Sequence, residues 1–534
     1  MDIKLGSWRR ITRKLRTPIP ISLHALKALL CLALWWAALS ATDAAADGLR
    51  STHPPTKLGS GGTFDASGVT LLSRIPVEAF PGSNAAANDL WGYVSPSGRE
   101  YALMGLQNGT AFVEVTDPEA PVIVGFIPHA ATCCSDIKVY LQYAYVVLEA
   151  PGGLQTIDLS NIDAGLVTLA DTFGASILTG VHNIAINEES GYAYLCGGVN
   201  AISDGGLYVV DLADPVNPAF AGAWSDTFVH DAQVVTYTDG PFSGKEIAFA
   251  YTAGDAQLSI IDVTNKSAMT VIGSTTYPNA AYAHQGCLSE DRQHVYLNDE
   301  FDETTSGIPT TTYVIDVGDL TQPTFVTSFS NGLSSIDHNL VVRENFIFEA
   351  NYTSGLRIYN AANPFLIEEV GYFDTYPADD LPDFMGAWSA YAGLPSGNII
   401  VSDIQSGLFV LDPLQALCGG ANLFFEEGDR LELTLPDPVD LGQTIQWRKN
   451  GVDLLDDGRI TGSNSIALII DPVELDDSGT YSATYDDGSR APATFCPVTV
   501  EVSGPLSAMG VMGLGALAAA LIACCAVVLR ASKP

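Results

Sequence analysis

Basic residues are scarce in this chain of 534 residues: 24 lysines and arginines stand against 61 aspartates and glutamates, a formal net charge of −37. Phosphate contacts need clustered Lys and Arg, so the composition argues against nucleic acid as a partner. The acidity itself reads as solubility in a salty or extracellular setting rather than as an acidic active site. A glycine-rich phosphate loop and a G-x-S-x-G nucleophile elbow are also missing, so no motif spells out catalysis.

The long apolar runs lie near the two ends. Arg9, Arg10, Arg13, Lys14 and Arg16 precede the run Ala28–Leu39, which ends in the small-residue pattern Leu39-Ser40-Ala41. Residues 1–41 therefore read as an export signal, and the run is shorter than a comfortable membrane span, which favours cleavage. The Arg9-Arg10 pair suggests a twin-arginine signal, although Ile11-Thr12 continues it poorly. Residues 42–67, rich in Gly, Ser and Ala, read as a flexible leader. At the other end Pro505–Leu529 carries no charge, is long enough to span a bilayer and precedes Arg530 and Lys533. Segment 504–534 is thus expected either to anchor the protein in the membrane or to be a sorting signal exchanged for another anchor. Both place the protein at the cell surface.

Between these ends the chain repeats. His182-Asn-Ile-Ala-Ile-Asn, Tyr192-Ala-Tyr-Leu, Leu207-Tyr-Val-Val-Asp and Ala219–Trp224 read as four short strands separated by Gly, Asn and Pro turns. Units beginning near Trp91, Asp136, His182, His230, His284, His338 and Trp388 follow the same plan at roughly 45–55 residue intervals, the period of propeller blades. The third strand recurs as Ala111–Pro118, Leu154–Ser160, Leu207–Pro215, Leu258–Thr264, Thr312–Asp319, Leu356–Pro364 and Leu408–Pro413. Each runs apolar into an acidic or amide residue that starts a turn by bonding its own backbone. A four-stranded unit cannot bury both faces alone, but seven stacked radially can. The last unit stops after its third strand, and strand 69–75 resembles a fourth strand, so it is expected to close the ring. The fold class expected is all-β: a seven-bladed β-propeller over 68–417, an immunoglobulin-like sandwich over 418–503, an N-terminal signal and a C-terminal transmembrane helix.

His182, His230, His284 and His338 open the first strand of four successive units. That strand lines a propeller channel, so the four imidazoles should gather at one mouth, with Trp91, Asp136 and Trp388 at the corresponding positions of other units. Polar neighbours accompany them: Asn183, Asp231, Gln233, Gln285, Asp337 and Asn339. Converging His and Asp suit a transition metal such as zinc, copper or iron. The alternative is a ring of histidines bonding turns and channel water. A second candidate is the acidic run Asn298–Thr304, where Asp299, Glu300 and Asp302 offer oxygen ligands to calcium. It lacks the spaced D-x-D-x-D-G pattern, and a solvated charge run is the alternative. Adjacent Cys133-Cys134 could bind a soft metal, form a vicinal bridge, or sit as two buried thiols.

Val181–Leu195, His230–Tyr237, Ala283–Asp291 and Asp337–Val342 together resemble the bacterial choice-of-anchor B family, secreted proteins built from L-V-I-V-D-type repeats. The resemblance covers about residues 68–415 and implies an extracellular propeller with no settled activity. Cys287 departs from it, standing where an aromatic residue is expected. Past Cys418 the character changes. Ile445–Gly451 and Leu475–Ala483 resemble an immunoglobulin-like sandwich, with Trp447 as its buried tryptophan and Asp477-x-Gly479-x-Tyr481 carrying the tyrosine corner. The usual inter-sheet cysteines are replaced by Ala483 and an apolar residue such as Leu433, while Cys418 and Cys496 bracket the unit and could pair. The sequence thus points to a surface-anchored propeller binding an extracellular protein or glycan. The competing reading is a metalloenzyme, a hydrolase or oxidase, using the histidine-lined channel.

Overall fold

A computed structural model describes residues 64–81, 86–198, 200, 202–417, 422–434, 444–486 and 493–503; the expected signal, most of the leader, Cys418 and segment 504–534 lie outside them. The described residues are nearly all strand or turn. Their α-helices are the short Asp302–Ser306 and Leu414–Leu417, and no described helix is long and apolar enough to cross a membrane.

From residue 66 to 412 the strands form successive antiparallel meanders, mostly four-stranded and shaped like propeller blades. In one, Asn183–Asn187, Tyr192–Cys196, Leu207–Asp211 and Ala219–Trp224 lie side by side in chain order. The first strands of the sheets pack against one another in turn: Ala87–Val94, Ser135–Tyr140, Asn183–Asn187, Asp231–Thr236, Ala283–Leu288, Asn339–Arg343 and Ala387–Tyr391. The last of these packs back onto the first. Thr70–Ile75 joins the final sheet as its outer strand, paired antiparallel with Gly407–Asp412 and with Leu71 opposite Leu411.

Both faces of each sheet are covered by neighbours, which is why the third strands read as apolar runs rather than strict alternations. Leu207, Val209 and Val210 are fully buried, and Val209 packs in one cluster with Ala248, Ala250, Ile261 and Val263 of the next sheet. The turns after these strands form as their acids dictate. Asp211 accepts from the Ala213 N–H at 2.7 Å, Asp262 from Thr264 at 3.0 Å, and Asp316 from Gly318 at 2.9 Å. Outer-strand glycines admit the neighbouring backbone: a Cβ at Gly222 would collide with the Lys266 carbonyl, and one at Gly273 with that of Leu320.

The expected leader ends earlier than the composition suggests. Ala66–Ser67 pairs with Tyr372 and Phe373, and the Phe64 ring packs 5.4 Å from Phe373 and 5.3 Å from Phe409. One aromatic residue provides the burial that the surrounding Gly and Ser lack.

Residues 422–503 form two further sheets. One joins Asn422–Glu426, Ala493–Ser503, Gly479–Asp486, Thr444–Lys449 and Val452–Asp453; the other joins Leu431–Thr434, Ala467–Ile470 and Ile460–Thr461. Trp447 is buried between them and donates its indole N–H to the Ser465 carbonyl at 2.8 Å. Leu433 and Ala483 are buried in the same cluster, and the Tyr481 hydroxyl donates to the Asp477 carbonyl at 2.8 Å.

Candidate functional site

The inner strands enter the channel from one end, so residues at their beginnings meet. His182, His230, His284 and His338 stack in an arc, with ring centroids 4.1, 4.1 and 4.4 Å apart in succession. His230 turns its Nδ1 to the backbone carbonyl of His284 at 2.8 Å, and His338 turns its Nδ1 to the carbonyl of Trp388 at 2.6 Å. A carbonyl can only accept, so each Nδ1 carries the proton and each Nε2 presents a lone pair. His284 faces the His338 carbonyl more loosely, with no bond of ordinary geometry at Nδ1.

The free nitrogens point at a carboxylate. Glu300 places Oε2 3.7 Å from the Nε2 of His284 and Oε1 3.8 Å from the Nε2 of His338. Ligand atoms of His230, His284 and Glu300 all lie within 4.8 Å of one another. These gaps are too long for hydrogen bonds. They are not ion pairs either: burial pushes His338 down to about 3 and holds His230 and His284 well below the usual imidazole range. Two ligands held about 2.0–2.2 Å from one tetrahedral ion lie about 3.3–3.6 Å apart, so the two gaps from Glu300 to His284 and His338 match the room one metal needs to within about half an ångström. Glu300 also accepts a bond from the Tyr352 hydroxyl at 2.8 Å, and burial raises its carboxyl to about 7. Tyr282, Tyr352 and Trp388 pack their rings against the imidazoles, and Phe301 and Phe384 pack on Tyr282 and Tyr352 in turn. The more open edge runs past His182 and Glu300, whose side chains are 18% and 11% exposed.

His182 is held differently from the others. Its Nδ1 lies 2.6 Å from Glu149, which also accepts from the Cys133 thiol at 3.1 Å. Burial alone would lower His182 and raise Glu149, but their mutual attraction outweighs it; His182 rises and Glu149 falls to about 2. The pairing thus favours the charged form of both groups, beside histidines that burial keeps neutral. Cys133 and Cys134, like Cys196 and Cys287, are free thiols.

Not every residue expected at this mouth lies there. Trp91 lines a separate cavity of ≈ 220 Å³ with Asp89, Lys138, Asp231, Gln285 and Asn339, and Asp136 is not among its walls but holds Lys138 at 2.6 Å. Lys138 also sits 4.6 Å over the Trp91 ring. Trp91 lies four residues past Ala87, opposite Leu103, and so beyond the histidine level. At that level Asn88 instead donates to the Cys133 carbonyl at 2.6 Å. Asn183 donates to the His230 carbonyl at 3.2 Å, Gln285 bonds Leu340, Asn339 bonds Ser389, and the Gln233 side chain accepts from Leu288. These are links between sheets.

The acidic run does not converge on one calcium site either. Asp299 accepts from the Tyr277 hydroxyl and from the backbone of Ala281 and Tyr282, Glu300 turns to the histidines, and Asp302 turns to Tyr313. Sequence reasoning missed Glu149, Tyr352 and the role of Glu300. Its available signal was an acid just past the second strand in two units, after Leu148 and after Asp299.

No curated protein matches the chain. Among solved structures it is similar to a protein from Lactobacillus plantarum, with 12% identity over 60% of this chain and 89% of that one, at a TM-score of 0.39. It is also similar to extracellular domains 3-5 of Drosophila OTK, with 24% identity at a TM-score of 0.14, covering 15% of this chain and 33% of that chain. The immunoglobulin-like domain of human leucine-rich repeat-containing protein 4 is similar at 23% identity and a TM-score of 0.14, over 17% of this chain and 86% of that chain. The LVIVD repeat family matches residues 133–162, 181–226 and 247–276, so the chain carries LVIVD repeats within its propeller-like sheets.

Proposed function

We propose that this is an exported, surface-anchored propeller of seven blades with a C-terminal immunoglobulin-like domain, of the choice-of-anchor B kind, and that it works through a transition-metal centre at one channel mouth. The observation that carries this reading is the Glu300 carboxylate, whose two oxygens face the free Nε2 atoms of His284 and His338 with His230 alongside. His230 and His338, neutral and with Nδ1 protons fixed by backbone carbonyls, are ready ligands, and those carbonyls orient them as supporting groups do in metal sites. A mixed His and carboxylate set suits zinc, iron or copper better than calcium. Such an ion would supply Lewis-acid or redox chemistry to a substrate entering past His182 and Glu300, in an extracellular hydrolase or oxidase.

Elemental analysis of the purified protein beside a His230→Ala/His284→Ala variant tests the centre. Near-stoichiometric transition metal in the parent, lost in the folded variant, is expected. A metal-free parent that takes up none when supplied removes the proposal.

The second reading is a binding or adhesion module for an extracellular protein or glycan. It is favoured by the ≈ 220 Å³ cavity, whose walls combine Asp89, Lys138, Asp231, Gln285 and Asn339, donors and acceptors suited to a small polar group. Burial raises Asp231 to about 7, so its charge would vary near neutral pH and ligand capture there with it. Glycan binding that survives loss of the histidines would support this reading over the first.

A further inference from the structure

We propose that Asp302, Glu303 and Asp337 hold a hard divalent cation, by its chemistry Ca²⁺, in a buried site separate from the histidines. Asp302 and Glu303 open the short helix Asp302–Ser306, and Asp337 lies just before the inner strand Asn339–Arg343. Ligand atoms of the three lie within 4.8 Å of one another. Asp302 and Asp337 are fully buried and Glu303 is 4% exposed.

Asp302 and Glu303 lie close enough for one proton to be shared between their carboxyls, but hydrogen bonds do not account for Asp337. Asp302 uses one oxygen to accept from the Tyr313 hydroxyl at 2.5 Å, and Glu303 uses one to accept from the Asp337 N–H at 3.4 Å. The remaining Asp302 Oδ1, Glu303 Oε2 and both oxygens of Asp337 have no hydrogen-bond donor. Asp337 is the independent witness: it comes from another sheet, is sealed from solvent, and carries two orphaned oxygens beside the other pair. Its strongest charged neighbours are Glu303, Asp302, Glu349 and Asp299, every one a carboxylate. Burying an unpaired carboxylate costs several kcal/mol, and three together repel as well. A cation or shared protons must relieve the charge. A proton shared by Asp302 and Glu303 still leaves both Asp337 oxygens without a donor, whereas a cation serves all four oxygens at once, and Ca²⁺ accepts irregular shells of oxygen ligands.

The ion would also join the two segments that carry the neighbouring histidine site. Asp302 and Glu303 follow Glu300 by two and three residues, and Asp337 precedes His338. A cation binding the acids would clamp Glu300 against His338 without touching either. The sequence pattern D-x-D-x-D-G is unnecessary here because the fold, not one loop, assembles the ligands.

Terbium is the probe, since it replaces Ca²⁺ and the Tyr313 ring beside Asp302 can sensitise its emission. The parent protein should give saturable emission that Ca²⁺ displaces, and Ca²⁺ should raise its melting temperature. Asp337→Asn should weaken the binding at least about tenfold and abolish the Ca²⁺ stabilisation. Glu303→Gln should do the same, and provides a second variant if the first does not fold. His230→Ala/His284→Ala should retain terbium binding, so failure of the transition-metal centre and failure of this site give different results. Emission unchanged in both acid variants would assign it to the acidic surface and overturn the proposal. A parent indifferent to Ca²⁺, with Asp337→Asn more heat-stable than the parent, would overturn it in favour of shared protons.

Discussion

Replacing Lys266 by Met should destabilise the fold by about 3 kcal/mol, at the lower edge of what breaking a buried ion pair costs. The Lys266 ammonium lies 2.5 Å from Glu246 and 2.9 Å from the Val263 carbonyl, with the pair no more than 9% exposed. The other Glu246 oxygen accepts from Asn187 at 2.9 Å, Ser190 at 2.7 Å and Tyr194 at 2.7 Å. These donors belong to the sheet after His182, whereas Lys266 and Glu246 belong to the sheet after His230. The substitution leaves a buried carboxylate without its counter-charge, but the three surviving donors temper the loss. Methionine keeps a stem across the Tyr192 ring, 4.1 Å from the present ammonium, so lost packing contributes little. Adding Glu246→Gln removes the stranded charge while its amide oxygen still accepts bonds; the double variant should therefore recover about 1–2 kcal/mol relative to Lys266→Met alone. Guanidinium denaturation followed by tryptophan fluorescence measures both. A single variant within about 0.5 kcal/mol of the parent, or a double variant as unstable as the sum of the singles, refutes the reasoning.

Glu149→Gln should destabilise most between about pH 4.5 and 6.5. The lowered Glu149 contributes stability above its unfolded value that fades as pH falls toward 2, and the raised His182 contributes stability below about 6.5 that fades as pH rises through its folded value; a pH-independent loss would count against the pairing. Gly273→Ala should cost about 1–3 kcal/mol in thermal or chemical unfolding because its Cβ would meet the Leu320 carbonyl, and equal stability would show that the outer strand has room to yield. Arg459→Ala should cost about 1–3 kcal/mol in the C-terminal sheets, by stranding the Asp477 carboxylate that now takes bonds at 2.5 and 3.2 Å, and should leave metal content unchanged; a matching loss of metal would contradict the separation of the two regions.

The strands and their order were legible because each unit satisfies its own local rules. Asp211, Asp262 and Asp316 make the turn bonds their types imply, and the apolar third strands need two covered faces. The level of the four histidines was legible for the same reason: a repeated position on a repeated strand meets its copies in space. Trp91 was misplaced because its strand already begins at Ala87, with Asn88 at the histidine level and Trp91 farther along, and no composition cue marks which residue stands there. Glu300 was misjudged for a different reason. It belongs to a run of acids in sequence, yet Asp299, Glu300 and Asp302 diverge to partners contributed by different parts of the fold. Neighbours along a chain at the end of a strand need not be neighbours in chemistry.

That divergence explains how a repeating fold can build one asymmetric centre. Repetition supplies imidazoles at one height, and the inward backbone carbonyl of the next sheet accepts the Nδ1 proton of His230 and His338. Each lone pair is thereby aimed without any dedicated orienting side chain. Repetition alone would give only a ring of equivalent bases, and equivalent bases do not define one binding point. The carboxylates break the equivalence. Glu149 favours the charged form of His182 and keeps its Nδ1 engaged, while Glu300 faces His284 and His338. Glu300→Gln should therefore weaken transition-metal binding by about 10–100-fold while leaving the imidazole stack intact, because the amide keeps the Tyr352 bond but loses the charge. Calorimetric titration with Zn²⁺ measures the change, and His182→Ala provides the contrast. If His182→Ala weakens binding as strongly as Glu300→Gln, the centre belongs to the whole histidine ring, and the asymmetry argued from Glu300 is wrong.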